Sequence, residues 1–415
     1  MRNGMKPWRI SVSGWNSAAG WRPFRLKMAR RRAREDTARV GTRDPHPDRK
    51  GNAMADPSET RTVARFPFDG TMPNWGKRAD RHPLLAFVDS CLRGIGQILF
   101  ADNPVSGLLI LLGLFVTSPW LGVATLLGLV SATASALLLR LDRSRLRAGL
   151  YGYNGALVGG ALATFLVPEW SPGIILYIIG AAAVSTLLML AVSLVLVDHL
   201  HLPPLTLPFN LVTIPCLLAT FATSHIQHGP LLARHMAEPI NPALRESANA
   251  GTVSLASALV EALFRGIGQI VFADHVLSGV LILLGVLVWS RIAGLFALLG
   301  SMLGLLVGLT LGGDGFSEYH GLWGYNAMVS AEALAGVFIV YTWRTALYGL
   351  VCAAATTVLY AGLAVWSGAY GIPALTLPFC LSTLVFLVGA HATNLFRPVP
   401  LSHVTSPEEH LRLPQ

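Results

Sequence analysis

Long apolar segments separated by short polar breaks fill the chain from about residue 83 to residue 395. The first five lie near 104–118, 120–139, 149–167, 172–197 and 205–224, and five more lie near 276–290, 292–311, 323–341, 345–366 and 375–392. A helix needs about 20 apolar residues, or a few fewer, to cross a hydrocarbon core of about 30 Å. The pattern predicts an all-α polytopic membrane protein with ten crossings. A large soluble helical protein is disfavoured, because its helices would need charged outer faces, which these segments lack.

Two further apolar segments, 84–101 and 253–273, differ from the crossings because they carry charge. In both, an acid lies four residues before an arginine, the favourable order for an ion pair on a helix: Asp89 with Arg93, and Glu261 with Arg265. Ionisable groups inside a membrane are costly and face protein or water. We therefore expect each segment to be a re-entrant half-helix that is packed within protein.

The chain is an internal duplication. Residues 93–102 (RGIGQILFAD) return as 265–274 (RGIGQIVFAD), and three more blocks return in the same order at offsets of 172 or 170 residues. These blocks are SGLLILLG with SGVLILLG, YGYNGALV with WGYNAMVS, and LPPLTLPFN with IPALTLPFC. Each half holds one half-helix and five crossings. Because five is odd, the second half is expected to enter from the opposite face, as an inverted repeat.

The distribution of charge supports this inversion. The loop after the second crossing carries four arginines, whereas the matching loop of the second half carries no arginine or lysine: Arg140, Arg143, Arg145 and Arg147 correspond to a stretch with Asp314, Glu318 and His320. A cytoplasmic start places the arginines inside and the acidic stretch outside, in agreement with the positive-inside rule. We therefore expect a multi-pass protein of the cell inner (plasma) membrane with both termini cytoplasmic.

Composition adds information mainly about the N-terminus. The 415-residue chain has a formal charge of +9, but residues 1–82 hold 19 basic and 8 acidic residues (+11), while residues 83–415 hold 12 and 14 (−2). The basicity therefore belongs to a tail, and no nucleic-acid partner is expected. The tail has no apolar period and lacks the core of a signal peptide, which predicts a disordered segment. Met54 is a second plausible start, in which case residues 1–53 would be a start-site artefact.

These patterns define the expected domain boundaries. They are the basic tail 1–82, the first membrane repeat 83–224, a periplasmic connecting loop 225–252, the second membrane repeat 253–395 and a cytoplasmic C-terminal tail 396–415.

Missing residue types exclude several classes of catalytic site. The only lysines are Lys6, Lys27, Lys50 and Lys77, so the two repeats hold no lysine for a phosphate-binding loop or a Schiff base. The four cysteines are scattered through apolar segments and form no C-x-x-C pair. No metal-ligand spacing and no nucleophile with a base is visible. We therefore expect no enzyme activity and no cofactor.

Duplicated side chains are the candidates for a binding site, because inverted repeats form their site near the midplane. They are Gln97 and Gln269, Asn154 and Asn326, Thr206 and Thr376, Tyr153 with Leu157, Tyr325 with Val329, and Phe100 and Phe272. The last carbonyls of each half-helix add acceptors without internal partners. This set indicates a narrow conduit for a small, neutral, polar solute, although a lone Gln or Thr can also serve only as a contact between helices.

The repeated blocks resemble those of the urea transporter family of bacterial and animal types. The resemblance is carried by RGIGQILFADNPVSGLLILLG, YGYNGALVGG, LPPLTLPFN and IPALTLPFC, and PLSHVTSPEEH at 400–410 is similar to the family's C-terminal run. It extends over about residues 85–412. It implies a homotrimer in which each protomer has its own pore and passes urea down its gradient through the lipid bilayer.

The resemblance also implies roles for the repeated side chains. Gln97 and Gln269 would belong to two rows of oxygen atoms that accept hydrogen bonds from the urea amides, and Thr206 and Thr376 would lie at the pore centre. The remaining positions would form flat slots that compress urea: Tyr153 and Leu157, Tyr325 and Val329, with Phe100 and its counterpart Phe272 beside them. Urea is planar, with N–H donors and one carbonyl acceptor, so apolar walls edged by acceptors fit it.

Four positions depart from the usual residues. Some family members have phenylalanine at Tyr153 and Tyr325 and leucine at Val329, and the phenol hydroxyls could either reach into the slots or point away. Glu332 lies seven residues after Tyr325, on the same helical face, and corresponds to Gly160 in the first half. It could line the pore vestibule, be protonated or pair with a buried donor, and the packed, neutral or paired roles are favoured.

Three other functions are open on the sequence alone. The main alternative is a channel for another small neutral solute, such as ammonia or short amides. Ammonium would need histidines in the pore. Most of the 12 histidines lie in the tail or in loops, and four lie near the ends of apolar segments: His199, His201, His320 and His391. A membrane-embedded enzyme would need a constellation that is not visible. A coupled transporter would fit the duplication, but the neutral site without an obvious proton relay favours passive flow.

Overall fold

The computed structural model describes residues 68–229 and 254–411. Two predictions concern residues that lie largely outside these ranges. They are the disorder of the N-terminal tail 1–82 and the periplasmic location of the connecting loop 225–252.

The first half is mainly helical, as its apolar segments predict. Its helices are α1 (Pro73–Ala79), α2 (Pro83–Gly96), α3 (Pro104–Thr117), α4 (Pro119–Leu138), α5 (Arg143–Arg147), α6 (Tyr153–Phe165), α7 (Pro172–Leu196) and α8 (Leu207–Ala219). Several begin at a proline, whose missing N–H costs nothing at a helix start. The side chain of Asn103 caps α3 by accepting bonds from the N–H groups of Val105 and Ser106.

The second half repeats the order of α2 to α8 and ends with one further short helix. Its helices are α9 (Leu255–Gln269), α10 (Val276–Trp289), α11 (Arg291–Leu311), α12 (Gly315–Tyr319), α13 (Tyr325–Glu332), α14 (Trp343–Gly368), α15 (Leu377–Ala392) and α16 (Pro407–His410). Ser118 and Ser290 cap α4 and α11 in the same way, through bonds to Leu121 N and Ala293 N. The duplication seen in the sequence is thus a duplication of helices.

The half-helices pack tightly against the helices that follow them. A Cβ atom added at Gly107 of α3 would lie 1.8 Å from the backbone oxygen of Leu92, and one added at Gly279 of α10 would lie 1.9 Å from that of Phe264. Neither position can hold a larger residue unless the backbone moves. The two contacts are 172 residues apart, so both halves use the same close approach to hold the half-helix.

The end of the third crossing segment in each half is paired with a returning segment of the chain. In the first half, β1 (Leu166–Val167) pairs antiparallel with β2 (Gln227–His228). In the second half a single bridge joins Ile339 to Pro398. The returning segment follows α8 in the first half and α15 in the second half. Each half therefore pairs equivalent parts of the chain.

One local difference separates the halves. The first-half helix α6 is a regular α-helix, whereas α13 ends at Glu332 and is followed by a kinked π-helix over Ala333–Val337, in which Ala335 and Gly336 have non-helical backbone angles. Inside the π-helix, Gly336 has φ 150°, a backbone conformation that only glycine adopts readily. The π-helix adds one residue to the second half. The repeat offset of 172 would place the equivalent of Phe165, at the end of α6, at residue 337, but its equivalent is Phe338.

Four helices of the described chain are long and apolar enough to cross a membrane: α4, α7, α11 and α14. A fifth crossing is counted if α2 and α3, which are bent by 75°, are taken as one span. Large apolar side chains on these helices are exposed, such as Leu138 at 83% and Val365 at 70%. A helical protein with such a surface is typical of a lipid environment. The remaining apolar helices are shorter, so the expected ten crossings stay a prediction.

Candidate functional site

Each half-helix is followed by a phenylalanine with a positive φ. After α2, a 3₁₀ turn covers Gln97–Leu99, and Phe100 follows with φ 60°. After α9, which ends at Gln269, Phe272 has φ 64°. A positive φ is uncommon for a bulky residue and turns the backbone sharply. Both glutamines therefore lie at the ends of the half-helices, as the sequence predicts.

The glutamine amides are held in one orientation. Nε2 of Gln97 donates to the backbone oxygen of Ala148, and Nε2 of Gln269 donates to that of His320, each at 2.9 Å. A backbone carbonyl can only accept, so the nitrogen of each amide is fixed on that side. The oxygen Oε1 of each glutamine is then the atom that can accept a hydrogen bond from a solute.

The hydroxyls of the two duplicated tyrosines donate to backbone carbonyls. The hydroxyl of Tyr153 donates to the backbone oxygen of Leu205, and that of Tyr325 donates to the oxygen of Leu375 at 2.6 Å. Both leucines have a positive φ, 49° and 50°, which turns their carbonyls toward the tyrosines. Each phenol hydroxyl is therefore held by a backbone carbonyl of the segment before α8 or α15.

The neighbouring asparagines secure the next helix start. Oδ1 of Asn154 accepts from the backbone N–H of Phe209 at 3.1 Å, and Oδ1 of Asn326 accepts from that of Phe379 at 3.3 Å. These N–H groups lie in the first turns of α8 and α15, where backbone donors have no partner within the helix. The Tyr-Asn pair of each half therefore fixes the start of the Thr-Leu-Pro-Phe segment.

The two duplicated threonines meet. Thr206 and Thr376 stand at the N-caps of α8 and α15, both are buried, and their hydroxyl oxygens are 2.6 Å apart. Neither hydroxyl bonds an N–H of its own helix. The equivalent points of the two halves are thus in direct contact, which is the arrangement expected at a pseudo-two-fold axis.

An aromatic cluster lies beside each half-helix end. Phe100 contacts Phe338 with ring centroids 5.3 Å apart and an interplanar angle of 84°. Phe272 contacts Phe165 at 6.0 Å and 88°. Each cluster is completed by a phenylalanine from the Thr-Leu-Pro-Phe segment at 6.3 Å, namely Phe379 beside Phe100 and Phe209 beside Phe272.

Sequence reasoning missed four of these phenylalanines. Phe209 and Phe379 belong to duplicated blocks at an offset of 170, so the repeat itself could have identified them. Phe165 and Phe338 could not be matched in that way, because the residue added by the π-helix makes their offset 173.

Ion pairs lie beside the half-helices. The predicted pair in the first half is present, with Arg93 Nε 3.0 Å from Asp89 Oδ2, and Arg147 is 2.9 Å from the same oxygen. The predicted pair of the second half is looser, with Arg265 3.9 Å from Glu261. Within residues 68–229 and 254–411, no group of three or more His, Cys, Asp or Glu side chains could hold a metal ion.

Comparison with known proteins identifies the family. A family model described as urea transporter matches residues 88–391. The chain is 35% identical over 338 residues to urea transporter 1 of Capra hircus and 36% identical over 338 residues to that of Ovis aries, in each case over 81% of this chain and 85% of the relative. It is 36% identical over 340 residues to urea transporter 1 of Rattus norvegicus.

The chain belongs to the urea transporter family. Family membership and the apolar helices together establish a membrane-embedded, multi-pass helical protein, and membership confirms that the chain is not an enzyme.

Three remaining predicted positions of this urea transporter are buried. Leu157 of α6 and Val329 of α13 are each 1% exposed and lie in the main hydrophobic core one turn after their tyrosines. Glu332, the last residue of α13, is also 1% exposed, and neither carboxyl oxygen has a hydrogen-bond partner among the described residues. Of its three predicted roles, pairing with a buried donor is therefore not seen in this part of the chain.

Proposed function

We propose that this member of the urea transporter family is a passive channel that conducts urea down its gradient. One observation carries the proposal: the two halves bring Thr206 and Thr376 into contact, while backbone carbonyls bind Nε2 of Gln97 and Gln269 and leave Oε1 as the acceptor of each amide. Acceptor oxygens match the N–H groups of urea, and a hydroxyl can donate to its carbonyl. The relatives named urea transporter 1 support urea as the solute.

In this proposal the pore runs between the two halves, past the ends of both half-helices. Phe100 and Phe272 stand at slots whose walls are completed by Leu157 and Val329 and by the backbone around Tyr153 and Tyr325. Flat apolar walls exclude ions because they offer no replacement for an ion's hydration. For Glu332 we propose a packed, neutral role, since an unpaired charge at that burial would be costly.

The proposed topology has ten crossings in two inverted repeats and both termini in the cytoplasm. The helix order of the two halves and the contrast between the arginine-rich loop of α5 and the acidic stretch of α12 support this topology. We further propose a homotrimer in the cell inner (plasma) membrane, with one pore per protomer, on the strength of the family resemblance.

The test is solute uptake by proteoliposomes of the full chain. Urea flux above that of protein-free vesicles, unchanged when proton and sodium gradients are removed, is expected of a passive channel. Ammonia flux without urea flux would favour the alternative, a channel for another small neutral solute. A lasting requirement for either ion gradient would contradict the passive mechanism.

A further inference from the structure

The centre of the paired site is not symmetric. Four residues after each threonine, the first half has Asn210 and the second half has Cys380, at equivalent positions 170 residues apart. Both are almost fully buried, at 2% and 0% exposure. The two halves therefore place different polar groups beside one pair of hydroxyls.

The side-chain amide of Asn210 is fixed by its partners. Nδ2 donates to the backbone oxygen of Thr206 at 2.8 Å and to the hydroxyl oxygen of Thr376 at 2.9 Å. The carbonyl of Thr206 can only accept, so nitrogen must occupy that side of the amide. Oδ1 faces the other way, and it is buried without a partner among the described residues.

The amide of Asn210 determines which of the two threonine hydroxyls donates to the other. A hydroxyl that accepts a hydrogen bond becomes a better donor, so Thr376, which accepts from Asn210, favours donation to Thr206. The proton of Thr206 is then available to a solute or to the sulfur of Cys380, which lies 3.2 Å away and is a weak acceptor. The equivalent residue of the second half, Cys380, has no side-chain amide. It therefore offers no donor that would make Thr206 donate to Thr376 instead.

We propose that Asn210 makes the centre of the path a one-sided recognition site for amides. Its Nδ2 holds Thr376 so that Thr206 donates to the carbonyl oxygen of the solute, and its Oδ1 accepts from an N–H group of the same solute. The site therefore recognises a carbonyl with an adjacent N–H, which urea and simple amides share. This proposal rests on the proposed urea channel and adds a positioning residue that also contacts the solute.

The duplication supplies a direct test, because the asymmetry can be moved from one half to the other. Asn210→Cys removes the amide, and the double variant Asn210→Cys/Cys380→Asn restores an amide beside the other threonine. Thr357→Val leaves Asn210 and Cys380 in place and is the matched control, because Thr357 is buried and bonds the carbonyl of Ala353 on its own helix. Fluxes of urea and thiourea are measured in proteoliposomes, because the sulfur of thiourea is a poorer acceptor than the oxygen of urea.

We expect Asn210→Cys to lower urea flux by about three- to tenfold, the size of one net hydrogen bond, and to lower thiourea flux less. The urea-to-thiourea ratio should therefore fall. The double variant should restore both the urea flux and the ratio, and Thr357→Val should keep them. A structural role alone would change both fluxes together and leave the ratio unchanged.

An unchanged ratio in Asn210→Cys, or a folded double variant without recovery, would overturn the inference while leaving the urea channel intact. Absence of urea flux through the unmodified protein would overturn both. If Asn210→Cys does not assemble, Asn210→Ser is used instead, because its short hydroxyl cannot bond both Thr206 and Thr376. The same fall in the ratio is then expected.

Discussion

Nδ1 of His410 lies 2.8 Å from the backbone oxygen of Gly336, the distorted residue of the π-helix. The other ring nitrogen, Nε2, accepts from the backbone N–H of Thr405 at 2.8 Å. The ring of Pro407 lies against Gly336, where an added Cβ would be 2.8 Å away. The C-terminal segment thus holds the end of the π-helix, directly before Phe338.

The pH dependence of this contact can be predicted. Burial lowers the pKa of His410 below 6.5, and the neutral ring donates from Nδ1 and accepts at Nε2. In the unfolded chain His410 binds a proton below about pH 6.5, whereas in the folded chain it stays neutral. The stabilisation from the His410 contacts is therefore complete above that pH and is lost as the pH falls.

We therefore expect hydrogen exchange in residues 396–411, corrected for intrinsic rates, to rise by about fivefold between pH 7.5 and pH 5, the equivalent of one lost hydrogen bond. His410→Gln should remove most of this pH dependence, whereas a change at the exposed His403 should not. Equal exchange at both pH values in the unmodified protein would contradict the assignment.

A second titration is expected at Glu318 in α12, outside the membrane-spanning helices. Its side chain is buried against Gly308, and both carboxyl oxygens lack a hydrogen-bond partner in the described part of the chain. Burial, with a smaller contribution from the charge of Asp314, raises the pKa of Glu318 to about 9. The folded chain thus keeps a proton that the unfolded chain releases above its ordinary value of 4.5, so stability falls as the pH rises between these values.

Glu318→Gln should therefore raise the unfolding temperature at pH 8 and leave it unchanged near pH 4.5. Thermal unfolding in detergent measures this directly. Glu169→Gln, at an exposed position, is the matched control and should have no effect at either pH. A variant that is less stable at pH 8 would show that the carboxylate is needed.

The two tyrosines should differ in their contribution to stability. The carbonyl of Leu375 accepts from Tyr325 and also from Nδ2 of Asn326 at 3.2 Å, whereas Nδ2 of Asn154 contacts a methionine sulfur instead of Leu205. Tyr153→Phe should therefore cost about 1–3 kcal/mol, because it leaves a buried acceptor unpaired, and Tyr325→Phe should cost less. Unfolding temperatures of the two variants give the order, and the reverse order would contradict these hydrogen-bond assignments.

The central hydroxyls should matter for flux rather than for folding. Thr206→Val and Thr376→Val keep the side-chain shape but remove the hydroxyls, so each should reduce urea flux by about three- to tenfold. Thr357→Val is the matched control, since Thr357 is equally buried but bonds only the carbonyl of Ala353 on its own helix. Unchanged flux in both central variants would make the threonine pair a structural contact only.

Helix positions were predictable because hydrophobicity, proline and serine caps all act locally. The segment expected near 104–118 is the helix Pro104–Thr117, and the one expected near 172–197 is Pro172–Leu196. The segment near 323–341 was expected to be one span, but its α-helix ends at Glu332. The distortion that follows is stabilised by His410, which is 74 residues away from Gly336 and could not be read from local pattern.

The candidate site was predictable only as far as the duplication reached. The repeat identified Gln97, Gln269, Thr206 and Thr376. It could not give the direction of a tyrosine hydroxyl, which depends on the positive φ of Leu205 and Leu375. Nor could it identify Asn210, whose partner position holds a different residue and whose importance comes from three-dimensional contacts.

The most direct test of the proposed channel is the stopped-flow urea permeability of proteoliposomes, compared between the unmodified protein, the variant Gln97→Leu and protein-free vesicles. Gln97→Leu removes the acceptor Oε1 and puts an apolar side chain of similar size in its place. The account predicts a high permeability for the unmodified protein and a clearly lower one for the variant at equal amounts of folded protein. Permeability no greater than that of protein-free vesicles would contradict the channel, and equal permeability of the two proteins would contradict the role of Gln97 in it.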